Sequence, residues 1–135
     1  MIILKIYMVM VFALIGCIHI YWASGGTKGI KVAIPENEKG PLFKAEFGGT
    51  IFIAIIFVIG SLLVIIDIYK IDLIFLQRYL YYIIGPVFFA RVIGEFKYVG
   101  VFKRVNKTDF AKYDNFIYIP LCFSIALSSV IIIIN

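Results

Sequence analysis

Arg91 and Glu95 stand four positions apart, where a long apolar run gives way to a charged one. A charge at the edge of a lipid-soluble segment is costly unless it is paired or used. One helical turn apart, the two could neutralise each other and anchor a helix end, which is the plainer reading. The functional reading has Arg91 holding a headgroup or carboxylate through both nitrogens, with Glu95 orienting it. Lys103, Asp109 and Asp114 continue the charged stretch, and six of the 13 Lys and Arg residues fall between Arg91 and Asp114. A second group of candidates, His19, Tyr21, Trp22, Gly25 and Gly26, closes the first apolar run. His19 could act as acid or base near neutral pH. Beside Tyr and Trp, a lone histidine is more simply a membrane-interface residue.

The remaining reactive residues exclude more than they suggest. Cys17 and Cys122 both lie inside apolar runs, there is no CxxC spacing, and His19 is the single histidine. Structural zinc normally takes four Cys or His ligands, so no metal is expected. No cofactor motif is present either. Apolar neighbours do not activate a thiol, and both cysteines read as inert and buried. Lys5 followed by an apolar run and Leu14-Ile15-Gly16-Cys17 has the shape of a lipoprotein signal, with Cys17 as the lipidated residue. Downstream, however, Ile18-His19-Ile20-Tyr21-Trp22 continues the apolar pattern where a polar tether would open, so an uncleaved span is preferred.

The elements that must position these residues follow from composition. The 135 residues are 63% hydrophobic and 16% charged, with a mean hydropathy of +1.04. Soluble domains are about half apolar and about a quarter charged. The chain therefore reads as one all-α integral membrane domain, with four transmembrane helices in a small antiparallel bundle. A hydrocarbon core of about 30 Å takes roughly 20 apolar residues in a helix. Four runs qualify, at about 2–22, 47–68, 73–94 and 116–134. Lys5 is near enough to the end of the first to snorkel. Gly48, Gly49 and Gly60-Ser61 permit close packing in the second. Gln77 and Arg78 open the third, and Pro86 removes a backbone donor at mid-depth and is expected to kink it. Asp114 and Asn115 are placed to cap the fourth. Ser124 and Ser128, four apart, mark its packing face, against the bundle or against a partner or second copy. The segment from Ala23 to Glu46 is rich in Gly, Pro and Lys and shows only turns. Asp67, Lys70 and Asp72 form a short polar turn between the second and third runs.

Orientation follows from the basic residues. The first and third loops, counting Arg91, hold ten of the 13 Lys and Arg; Lys5, Lys70 and Arg78 make up the rest. The positive-inside rule then places loops 23–46 and 95–115 in the cytoplasm and both termini outside. His19, Tyr21, Trp22, Gly25 and Gly26 end the first span at the face where Arg91 and Glu95 end the third. The unusual residues thus share one mouth of the bundle. The net charge of +5 belongs to these membrane-flanking segments and points to anionic lipid, not nucleic acid. Lys97, Lys103, Arg104, Lys107 and Lys112 alternate with Phe96, Val99, Phe102, Phe110 and Tyr113, as in a segment lying along the interface. Thr108-Asp109 reads as a local turn or cap.

Several spaced motifs carry a resemblance. They are His19-x-Tyr21-Trp22-x-x-Gly25-Gly26, Pro35, Arg91-x-Ile93-Gly94-Glu95-Phe96-x-x-x-Gly100-x-Phe102-Lys103, Thr108-x-Phe110-Ala111-x-x-Asp114 and Pro120-Leu121-Cys122. Together they resemble the bacterial membrane-protein family of unknown function DUF3995, over nearly the whole chain. Glu95 stands where that family often has Asp, which preserves the charge. The resemblance implies a bacterial inner-membrane protein of four helices and implies no activity. His19 and Cys122 fall within the family pattern and Cys17 does not.

Three functions remain open on these residues. The leading one is a polar site at the cytoplasmic mouth, built from His19, Tyr21, Trp22, Arg91, Glu95 and Asp109 or Asp114, that takes an anionic lipid or small amphiphile, as a binding protein or a lipid-modifying enzyme. The second is an accessory subunit of a larger membrane complex. The third, an oligomeric transporter using Glu95, is weaker because transport sites usually lie at the midplane.

Overall fold

The computed structural model describes residues 1–71 and 74–135, with the backbone alone for 74–78. The expectations for Asp72, Gln77 and Arg78 lie outside the described residues and side chains. The chain is mostly helical. Helix α1 spans Ile2–Ala23, a short α2 spans Ile30–Ala33, and β1 (Glu36–Asn37) pairs antiparallel with β2 (Gly40–Pro41). Helix α3 spans Phe47–Ile68 and α4 spans Ile74–Ile93; α5 (Asp109–Tyr113) runs through a π-helical turn, Asp114–Tyr118, into α6 (Ile119–Ile134). Among the described residues three helices are long and apolar enough to cross a membrane: Ile2–Ala23, Phe47–Ile68 and the continuous Asp109–Ile134. The described apolar part of α4, Tyr79–Ile93, is shorter.

These runs are helical because, in an apolar medium, a helix satisfies every backbone group within its own segment. Their outward faces are apolar to a degree that water would not tolerate: Ile3 is 77% exposed, Phe47 68% and Phe116 82%. Inward, Met8, Phe12, Val64, Tyr81, Ile84 and Ile125 form one core. Helix α1 lies on α3 where Gly16 brings the backbones together; a Cβ there would stand 3.1 Å from Val58. The Ser61 hydroxyl crosses the same seam to the Val9 carbonyl at 3.2 Å. Helix α4 lies on α6 where Gly85 faces Ser129, and α4 runs through Pro86 as one helix.

The two helix pairs join through aromatic and polar contacts. Phe12 and Phe57 both pack on Phe88, Tyr7 hydrogen-bonds Ser124, and the Tyr81 hydroxyl donates to Asp67 at 2.6 Å. Ser124 and Ser128 therefore turn inward: Ser128 is buried and donates to the Ser124 carbonyl at 2.7 Å.

Several local expectations change. Lys5 does not snorkel; it pairs with Asp67 at 2.7 Å. Asp67 lies inside the last turn of α3, not in a loop, because both partners hold its carboxylate there. The first loop is more ordered than its composition suggests, with α2 and the β1–β2 ladder. Cys17 is exposed on the outer face of α1, whereas Cys122 is buried, and both are free. The final helix begins at Asp109, seven residues before the apolar run at Phe116, because Thr108 caps it there.

Candidate functional site: a buried carboxylate between two cations

The site is built by the way α4 ends. Ile93 is its last residue, Gly94 takes a left-handed conformation with φ +76°, and its N–H still donates to the Ala90 carbonyl at 2.8 Å. The chain then turns back on the helix, and the Val101 N–H reaches the Val92 carbonyl at 2.9 Å. The return passes so close to Gly94 that side chains are excluded. A Cβ on Gly94 would stand 1.9 Å from the Val99 carbonyl oxygen, and one on Gly100 (φ +93°) 2.3 Å from that of Ile93. Two glycines six residues apart are what this backbone crossing requires.

The crossing delivers Gly100 and Lys103 to Asp114. Thr108 starts the helix by accepting from the Ala111 N–H at 3.1 Å, so Asp114 arrives one full turn inside it. Pro120 lacks an N–H and its ring would collide with the carbonyl four residues back; the wider π turn at Asp114–Tyr118 just before it relieves that conflict. Asp114 is fully buried and Lys103 nearly so. The Asp114 Oδ1 accepts from Arg91 at 2.8 Å. Its Oδ2 accepts from Lys103 Nζ at 3.0 Å and from the Gly100 N–H at 2.9 Å. Lys103 also donates to the Gly100 carbonyl at 3.1 Å and to the Asn115 side chain. One buried carboxylate thus organises α4, the loop and the last helix. Two cations stand against one anion, and Arg91 Nη1 is buried with no hydrogen-bond partner among the described residues.

This assembly differs from the pairing read along the sequence. Arg91 does not pair with Glu95, because the left-handed turn at Gly94 ends the helix and removes the one-turn register. Glu95 instead accepts from the Tyr98 N–H at 2.6 Å on the surface. Asp114 and Asn115 do not cap the last helix; Thr108 does. Asp109 pairs with Lys112 at 3.0 Å in solvent, and its N–H donates to Glu36 at 3.0 Å. That contact, with the Tyr118 hydroxyl on the Val32 carbonyl at 3.0 Å, docks the first loop onto the last helix.

The candidates at the end of α1 are engaged in their own local structure. His19 Nδ1 lies 2.8 Å from the Ile15 carbonyl, and its ring packs on Trp22 and Phe57. The Trp22 indole donates to the Lys28 carbonyl at 2.8 Å. Gly26 lies under the Tyr21 ring, and Gly25 (φ +95°) makes the turn. Of the expected residues, Arg91, Lys103 and Asp114 come together. His19, Tyr21, Trp22, Gly25, Gly26, Glu95 and Asp109 spend their hydrogen bonds and ring contacts elsewhere. No cavity described here is lined by Arg91 and His19 together. The depression nearest the charged loop, about 330 Å³, is lined by Glu95, Phe96, Lys97, Arg104 and Val105.

At the opposite end, Lys5, Asp67 and Tyr81 form a second polar cluster across α1, α3 and α4. Its signal in the sequence was Asp67 itself, an acid one residue short of the end of an apolar run.

A helical protein with three membrane-length apolar helices and a charged cluster where two of its helices meet a loop is a membrane protein. The chain belongs to the family of proteins of unknown function DUF3995, whose model matches residues 12–129. No curated protein and no solved structure matches it.

Proposed function

We propose that this chain is a four-span protein of the bacterial inner membrane that binds the anionic group of a lipid or small amphiphile at one mouth of its bundle. In this reading α4 also crosses the membrane, as the third of four spans, loops 23–46 and 95–115 face the cytoplasm, and both termini lie outside. One observation carries the binding site: Arg91 is fixed by Asp114 through one nitrogen and presents the other, buried, with no partner. A buried cationic N–H without an acceptor is costly. The excess of one positive charge over Asp114 makes an oxyanion the fitting acceptor. Arg91 is the ligand group in this reading; Lys103 and Asp114 position it.

Native mass spectrometry of the detergent-purified protein tests it. Arg91→Lys keeps a cation for Asp114 but has no second nitrogen, so co-purifying anionic lipid or amphiphile is expected to fall in this variant. Equal retention in wild type and Arg91→Lys would overturn the ligand role. For orientation, a cysteine replacing Pro35 on a Cys17→Ser background should resist impermeant thiol reagents added to intact cells. Labelling from outside reverses the topology.

A further inference from the structure

We propose that residues 94–107 form a re-entrant foot, which beds Phe96, Val101 and Phe102 in the acyl–headgroup boundary of the bilayer while Lys97 and Arg104 hold anionic lipid headgroups. The inference rests on the membrane-spanning reading but not on a ligand at Arg91.

Depth is the first ground. The Val101 N–H bonds Val92 and the Gly100 N–H bonds Asp114, so this part of the loop lies level with the last turns of α4 instead of projecting away from them. Phe116, two residues beyond Asp114, is 82% exposed, so the outer surface remains apolar at that level.

Non-helical backbone is tolerated at such depth only where protein groups satisfy it. Here the Arg91–Asp114–Lys103 cluster does so: Asp114 takes the Gly100 N–H and Lys103 takes the Gly100 carbonyl. The buried charges therefore have a physical purpose in the loop's placement.

The surface is the second ground. Phe96, Val101 and Phe102 are each more than half exposed, with the two rings 6.1 Å apart. Phe96 holds φ +66°, a left-handed conformation that a bulky residue adopts only at a cost. Burying the crest in lipid offsets that cost. Lys97 and Arg104 flank the depression beside Phe96, and their backbones are tied, the Arg104 N–H donating to the Lys97 carbonyl at 3.1 Å. With Lys103 buried against Asp114, residues 94–107 still expose Lys97, Arg104 and Lys107 against Glu95 alone, which complements an anionic leaflet.

Brominated-lipid quenching tests the foot. The reporter is Phe102→Trp on a Trp22→Phe background, reconstituted in phosphatidylcholine bilayers with and without phosphatidylglycerol. The acyl chains carry bromine near the headgroup. Trp at position 102 is expected to lose most of its emission. The loss should deepen with phosphatidylglycerol, and that increment should vanish with Lys97→Gln and Arg104→Gln together. Ile56→Trp, on the exposed face of α3 near the middle of the span, is the embedding control and is read with bromine placed deep in the acyl chains. Quenching at 56 without quenching at 102 overturns the foot while leaving the spans intact, and points to water or a second copy over the crest. Quenching at 102 that ignores phosphatidylglycerol overturns the headgroup role. No quenching at 56 removes the membrane-spanning reading itself, and the foot with it.

Discussion

Lys103→Met is the substitution that most directly tests the buried cluster. The Lys103 side chain is 1% exposed, and Nζ donates to Asp114, to the Gly100 carbonyl and to Asn115. Removing one partner of a buried ion pair costs about 3–5 kcal/mol, chiefly because the other charge is left uncompensated. Asp114 would still have Arg91 and the Gly100 N–H, so the expected loss sits at the lower end, about 3 kcal/mol. That corresponds to roughly a hundredfold shift in the folded-to-unfolded ratio. Asp114→Asn removes the anion of the cluster and leaves buried Lys103 with neutral partners alone, so its loss should approach about 5 kcal/mol. The double variant removes both fully buried charges and leaves Arg91, whose side chain is a third exposed although its Nη1 is buried. Its loss should fall short of the sum by about 1–3 kcal/mol. Lys112→Met is the control: its pair with Asp109 is 64% and 72% exposed and should be worth less than about 1 kcal/mol. Unfolding in mixed micelles by SDS titration, followed by far-ultraviolet circular dichroism, measures all four. If Lys103→Met cost no more than Lys112→Met, or if the double variant were simply additive, the cluster would not be the organising contact described above.

Other outcomes follow from single contacts. Gly100→Ala should prevent the loop from closing on α4, because its Cβ would stand 2.3 Å from the Ile93 carbonyl oxygen; hydrogen exchange at the Val101 amide should rise by orders of magnitude. Gly48→Ala meets open space on α3 and should be neutral or stabilising by up to about 1 kcal/mol in the same titration. Tyr81→Phe removes the hydroxyl that donates to Asp67, and a hydrogen bond to a charged group is worth about 1.5–3 kcal/mol. The lower end is expected there, since Lys5 still pairs with Asp67. Thr108→Ala removes the cap of the last helix and should cost about 1 kcal/mol, with fraying confined to Asp109–Tyr113 by hydrogen exchange.

The helices were legible because their cause is local. An unbroken apolar run in a medium without water has one stable backbone solution, and α1 and α3 occupy such runs. The small residues were legible as places of close approach, though not which ones are used: Gly60 and Ser61 meet α1, while Gly48 and Gly49 face open space. The final helix was legible only from Phe116 onward. Its first turns are polar on one side and exist because Thr108 caps them and because Phe110 and Ala111 are buried, Phe110 against the Tyr118 ring. The alternation of cations and aromatics between Lys97 and Tyr113 looked uniform along the chain. Folding separates it: Lys103 and Phe110 go inward, while Lys97, Arg104, Phe96 and Phe102 stay out.

By themselves, the residues determined that this chain is apolar enough to require a membrane, that it forms long helices, and that its charges gather at their ends. Which charge meets which was decided only by the tertiary structure. Arg91 was read against Glu95 because both lie within one turn of sequence; it binds Asp114, 23 positions away. A helical register predicts neighbours only while the helix continues, and Gly94 ends it. Past that point the partners depend on a backbone crossing between Gly94 and Gly100, whose geometry is visible only once the chain has folded back.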